Sequence, residues 1–140
     1  MRRSLICVTF LVGALALAQN VNYRPDAEWQ PPAAAAARVN PLQPEAKTVA
    51  GGRKLFVRHC AECHGEDGGG LKSAADLQML VVQQQSDGAL HWKITNGNGR
   101  HGMPSFGSLP ELQRWQIVLY LRTLKPATAE EAGEVPGARR

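Results

Sequence analysis

Five consecutive residues, Cys60-Ala61-Glu62-Cys63-His64, constrain this 140-residue chain more than any other part of it. Two side chains three positions apart lie about one helical turn from each other, and the histidine that follows adds a third donor to the same short stretch. Upstream, Val49, Gly52, Phe56 and Cys60 recur at the spacing of one helix face. The motif is therefore expected at the end of a helix, so that whatever it binds is gripped by a rigid element.

C-x-x-C-H is the attachment pattern of c-type haem. Two thiols at that spacing can each add to one vinyl group of the same macrocycle, which makes Cys60 and Cys63 the covalent anchors. His64 is then carried beneath the ring as the proximal iron ligand, through a neutral imidazole nitrogen. A CxxC pair also serves zinc sites and thiol redox enzymes. Structural zinc usually wants four ligands, and beyond the motif only His59, His91 and His101 remain as imidazole donors, none in a second paired motif. A thioredoxin-type pair follows a strand inside a βαβ unit, whereas the chain lacks the alternating β-branched runs that build a parallel sheet. One haem c, with its iron, fits the residues best.

The stretch from Asn96 to Gly107 is rich in glycine and reads as an open loop. Met103 within it is the expected distal ligand: its thioether can reach iron from a loop, and Pro104 fixes the chain just after it. His101 is the rival donor, with His91 and His59 behind it. Met79 lies among Leu77, Leu80, Val81 and Val82 and reads as a core residue. Phe56, Trp92 and Arg100 are candidate haem contacts, Arg100 through charge-assisted hydrogen bonds to the propionates, although ordinary packing accounts for Trp92 equally well.

The N-terminus looks exported. Met1-Arg2-Arg3 supplies a positive start, Leu5 to Ala18 an apolar run, and Ala16-Leu17-Ala18 an A-x-A cleavage pattern, so residues 1–18 read as a secretory signal. The run is shorter than the roughly 20 residues that cross a bilayer, and membrane association is expected only if the segment stays attached. Cys7 would leave with it, so only Cys60 and Cys63 remain. Residues 19–46 hold five prolines and the run Ala33 to Ala37 and read as a linker, with Tyr23 and Trp29 unexpected in a pure spacer. The haem-bearing domain is expected over residues 47–126 and a frayed tail over 127–140. Net charge is +4, falling to +2 without Arg2 and Arg3, and gives no reason to expect nucleic acid.

The remaining pattern is helical. Ser108-Leu109-Pro110-Glu111 fits a capping box, and Leu112, Trp115, Val118 and Leu119, widened by Ile117, Leu121 and Leu124, form the stripe of a closing helix. Gly51 and Gly52 would each cost about 1 kcal/mol against alanine inside the first helix, which points to close contact with the closing helix near Gly52 and Phe56. Leu77 to Val82 reads as a short helix, and Asp87 to Ile94 as another stopped by Asn96-Gly97.

Taken together, Gly52-x-x-x-Phe56, Cys60-Ala61-Glu62-Cys63-His64, Gly102-Met103-Pro104, and Trp115 with Tyr120-Leu121 make the chain from about Thr48 to Lys125 resemble a class I c-type cytochrome. The resemblance implies an all-α fold of three or four helices around one haem, with His64 and Met103 on opposite faces. It also implies a proline soon after His64 to accept the imidazole N–H. This sequence has none there, and a backbone carbonyl in the Gly65 to Leu71 loop is the expected substitute. Two protein ligands on iron leave no free coordination position, so the expected role is one-electron transfer with redox partner proteins, not catalysis. A peroxidase-like enzyme or a ligand sensor with a labile Met103 is the alternative.

Overall fold

The computed structural model describes residues 26–124. The expected signal segment, the first part of the expected linker and the expected tail lie outside the described residues. Among the described residues six α-helical segments follow in order: α1 (Ala33–Ala36), α2 (Ala46–His59), α3 (Ala61–His64), α4 (Leu80–Gln83), α5 (Asp87–Asn96) and α6 (Glu111–Leu121), with a 3-10 turn at Gly99–His101. Among the described residues there is no strand, only one isolated backbone bridge between Asn98 and Met103. Three helices, α2, α5 and α6, are long enough to frame a core. The fold is all-α, as the sequence pattern predicts.

The core lies where α2 crosses α6. Gly52 is buried there because a Cβ on it would sit 2.0 Å from the carbonyl oxygen of Gln116 and 3.1 Å from the Cβ of Tyr120. Glycine is what lets the two backbones approach so closely. One turn on, Phe56 is fully buried with its ring centroid 5.1 Å from that of Tyr120. Trp115, Ile117 and Val118 complete this layer at 1% exposure or less. Each such side chain contributes about 1.5–3 kcal/mol by leaving water, so this crossing contributes strongly to stability.

Three local expectations change. The closing helix begins at Glu111 with Pro110 as its cap residue and no side-chain cap, so Ser108 does not form the expected box. Glu111 is instead paired with the guanidinium of Arg38. Leu112, in the first turn of α6, faces solvent instead of joining the stripe. Of the apolar run around Met79, only Leu80–Gln83 is helical, with Val82 buried and Leu80 and Val81 exposed. The start of α5 is set by Ser86, whose hydroxyl accepts a hydrogen bond from the amide of Ala89 at 3.1 Å.

The stretch expected to be a linker also reads differently. Residues 26–45 lie along α5 and α6 as a strap. In α1, the carbonyl of Ala35 would be 2.2 Å from a Cβ on Gly88, so glycine again admits a backbone. Ser86 donates from its hydroxyl to the Ala36 carbonyl at 2.6 Å. Asn40 donates from its amide to the Trp115 carbonyl at 3.1 Å. The Arg38 guanidinium stands 5.2 Å from the Trp115 ring centre, a distance suited to cation–π attraction.

His91, on α5, stacks on Trp115 at 3.9 Å and is 3% exposed, and its Nε2 has no hydrogen-bond partner among the described residues. Burial first, and then the nearby Arg114 and Arg38, push its pKa down to about 4. The unfolded chain, with an ordinary pKa of about 6.5, therefore binds a proton there before the folded one does. Stability is expected to be full above about pH 6.5 and to fall as pH drops from there through about 4. Denaturant titrations across that window should show a shallower loss for His91→Phe, which keeps the stacking but cannot titrate. An equal slope in both proteins would remove His91 as the cause.

Candidate haem site

The five-residue motif straddles a break between two helices. Residue Cys60 ends α2 and starts α3, with φ −121° and ψ −33°. The helical bonding runs on through the bend: the Cys60 amide donates to Phe56, and the amides of Cys63 and His64 donate to the Cys60 carbonyl. The two thiols are therefore held one turn apart and are not bonded to each other. Cys60 is half-buried against the core and Cys63 is exposed. Burial, aided by Cys63, pushes the Cys60 thiol up to about 12. Thiol–disulfide exchange calls for the opposite shift, toward an accessible thiolate. Among the described residues, no three or more His, Cys, Asp or Glu side chains cluster to hold a metal ion.

His64 is oriented by its backbone surroundings. Its Nδ1 lies 2.9 Å from the carbonyl oxygen of Ala75. A carbonyl can only accept, so Nδ1 carries the proton and Nε2 keeps the lone pair that a metal requires. Burial lowers the His64 pKa, offset in part by the Ala75 carbonyl, and so favours the neutral ring. The accepting carbonyl is Ala75, beyond the Gly65 to Leu71 loop in which it was expected. The chain after His64 loops back: Gly70 and Leu71 donate to the carbonyls of His64 and Cys63, and Leu77 donates to Gly68 at 2.7 Å. Gly70, at φ +78°, is packed so closely on Ala74, Ala75 and Asp76 that a Cβ would come within 2.9 Å of their backbone atoms.

Met103 sits at the base of a tight hairpin. Asn98 and Met103 exchange both backbone hydrogen bonds, at 2.8 and 3.0 Å, and the Gly99–His101 turn closes the loop with Gly102 in the left-handed region. Behind it, Gly97 at φ +65° packs against the Pro104–Ser105 backbone so closely that a Cβ would lie 2.5 Å from the Pro104 carbonyl. The Phe106 amide then donates to the Ile94 carbonyl at 3.1 Å, and the Ser105 hydroxyl to Thr95 at 2.7 Å, tying the loop to the end of α5. The half-buried Met103 is thus on a braced loop and not a free one.

The rival imidazoles are engaged elsewhere. His59 meets the edge of Phe106, His91 stacks on Trp115, and His101 Nε2 lies 3.4 Å from an Asp26 carboxylate oxygen. Of the candidate haem contacts, Phe56 belongs to the helix crossing. The Arg100 guanidinium pairs with Glu28 at 2.9 Å, because the strap brings that carboxylate to the loop. Trp92 borders a cavity of about 110 Å³ between the strap and α5, alongside Ala35, Arg38 and His91. The reading from sequence missed Ala75, Asn98 and Asp26, and only Trp29, an aromatic in a proline-rich stretch, offered a signal.

A pair of free thiols one turn apart, an imidazole whose Nε2 is left with its lone pair, and a thioether on a braced loop fit a covalently attached haem. Comparison with known proteins agrees. Residues 47–121 match the family described as cytochrome C oxidase, cbb3-type, subunit III. Over 77 residues the chain is 32% identical to cytochrome c6 of Leptolyngbya boryana, across 52% of this chain and 88% of that protein.

Proposed function

Because this chain belongs to the family of the cbb3-type cytochrome c oxidase subunit III domain and is a class I c-type cytochrome with haem c attached covalently, we propose that it is an exported single-haem carrier of electrons, working alone or as the electron-transfer subunit of a dehydrogenase or respiratory complex. Electron transfer between redox partners is the work of the family. The haem, when bound, supplies a reversible one-electron couple. In this reading Cys60 and Cys63 would hold the macrocycle, and His64, through Nε2, and Met103 would be the iron's protein ligands.

The single observation that carries the proposal is the Ala75 carbonyl on His64 Nδ1, which fixes the tautomer and the tilt of a ligand that must not move when the iron changes charge. The Asn98–Met103 pair supports a second protein ligand on a loop of defined shape. Were His64 and Met103 both to bind the iron, no coordination position would be left for a substrate, which favours outer-sphere transfer over a peroxidase-like enzyme or a sensor. Export, to the periplasm or otherwise out of the cytoplasm, rests on the charged, apolar and A-x-A pattern of residues 1–18. Among the described residues no helix is long and apolar enough to cross a membrane.

Carbon monoxide tests the carrier reading directly. The reduced protein at neutral pH is expected to bind it slowly and incompletely, and fast, complete binding would overturn the proposal. A second test addresses attachment. Cys60→Ala and Cys63→Ala are each expected to leave one thioether, read as an altered pyridine-adduct spectrum of the denatured protein. Two intact thioethers in denatured Cys63→Ala would refute the assignment.

A further inference from the structure

The strap's contacts converge on one place. The Trp29 indole Nε1 donates to the Gly97 carbonyl at 2.8 Å, and the Asn98 side-chain amide donates to the Asp26 carboxylate at 2.9 Å. Asp26 also faces His101, and Glu28 pairs with Arg100. The Trp29 ring is held in turn by the Lys93 ammonium, 4.6 Å from its centre. Residues 97–101 are the root and the turn of the hairpin that carries Met103. Asn98 is held by its side chain on the strap and by its backbone on Met103, so it links the two.

We infer that residues 26–38 position the Met103 loop, with Asp26 and Trp29 as the positioning residues, so that the strap sets how readily the distal ligand leaves its place. This rests on the reading of Met103 as a ligand. The strap can do this because its other end is anchored independently, through Ala35 and Ala36 on α5, Arg38 on Glu111 and Asn40 on α6. The contacts differ in weight. Glu28 and Arg100 are more than two-thirds exposed, and such ion pairs contribute little. The Asp26 side chain is only 11% exposed and accepts from Asn98, so its loss leaves an amide without its partner. The strap also lies outside residues 47–121, the part of the chain matched by the family, so this support is added to the domain from the sequence before it.

The test uses the full haem-loaded chain with Asp26→Leu and Trp29→Leu together. Hydrogen exchange at the amides of Asn98 and Met103 is expected to quicken about tenfold or more, while that of Val118 in α6 stays unchanged. Carbon monoxide should bind the reduced variant faster by a similar factor, and the near-infrared band of thioether-ligated ferric iron should weaken. Asp26→Asn, which keeps one oxygen to accept from Asn98 but gives up the one that the Glu28 amide uses, should quicken exchange less than the double variant does. Unchanged exchange at Asn98 and Met103 would overturn the inference, and so would equal quickening at Val118, which marks general destabilisation. A missing near-infrared band in the unaltered protein would reject Met103 as a ligand, while the amide exchange would still decide what the strap does.

Discussion

His64→Ala protein is expected to hold haem on its two thioethers and yet to have no normal low-spin site. His64 is the one imidazole whose Nδ1 is fixed on a backbone carbonyl within the attachment motif, and His59, His91 and His101 are held by Phe106, Trp115 and Asp26. No other ring is placed to substitute without dismantling a contact. Met103→Ala should behave differently. It leaves the proximal side intact and removes a thioether from a loop braced by Asn98, so haem stays bound. The reduction potential falls by something on the order of a hundred millivolts, within the roughly 0.8 V that axial ligands span. Electronic spectra and redox titration of both variants check this contrast, and a low-spin His64→Ala protein would show that another residue is the proximal ligand.

Gly52→Val is the substitution expected to damage the fold most. Even the first carbon of the new side chain would lie 2.0 Å from the Gln116 carbonyl, and the obstacle is backbone, which cannot swing aside. Separating α2 from α6 would loosen Phe56 and Tyr120 together, at a cost of about 3 kcal/mol or more. For a domain of this size that lowers the melting temperature by something on the order of 10–20 °C. Gly51→Ala is the matched control. Its Cβ would meet the side-chain amide of Gln116 at 3.1 Å, a group that can rotate away, and alanine gains helix propensity, so stability should hold or rise slightly. Thermal unfolding of the pair settles the comparison, and equal melting points would mean that the helices part without penalty.

The elements legible in the sequence are those that advertise themselves locally. The attachment motif, the α2 face through Gly52 and Phe56, the stop at Asn96-Gly97 and the stripe of α6 each follow from spacing within a dozen residues. Glycine at 52 could be assigned to a helix contact because its cost in a helix demands a reason. What escaped depends on parts of the chain that meet from afar. Ala75 became the partner of His64 only because Gly70 lets the chain turn back. Ser108 does not serve as a cap because the helix starts later, with Pro110 as its cap residue, and Glu111 meets Arg38 of the strap. Residues 26–45 show no apolar period because hydrogen bonds, one indole and an arginine hold them, rather than a buried stripe. That same segment brings Glu28 to Arg100, a pairing that no local pattern announces.

The distances along the chain that the strap closes have a consequence for how the protein is assembled. Trp29 meets Gly97 across 68 residues, Asp26 meets Asn98 across 72, and Asn40 meets Trp115 across 75. Contacts so remote pay their closure entropy before they return anything, whereas α2, α5 and α6 can each begin from local turns. The strap's seat is shared between α5, the methionine loop and α6, so it is complete only once those elements have packed, and the strap is expected to close after them. On that order of assembly the braced state of the methionine loop belongs to the finished protein, and the amides of Asn98 and Met103 are expected to exchange at lower denaturant than that of Val118 in α6.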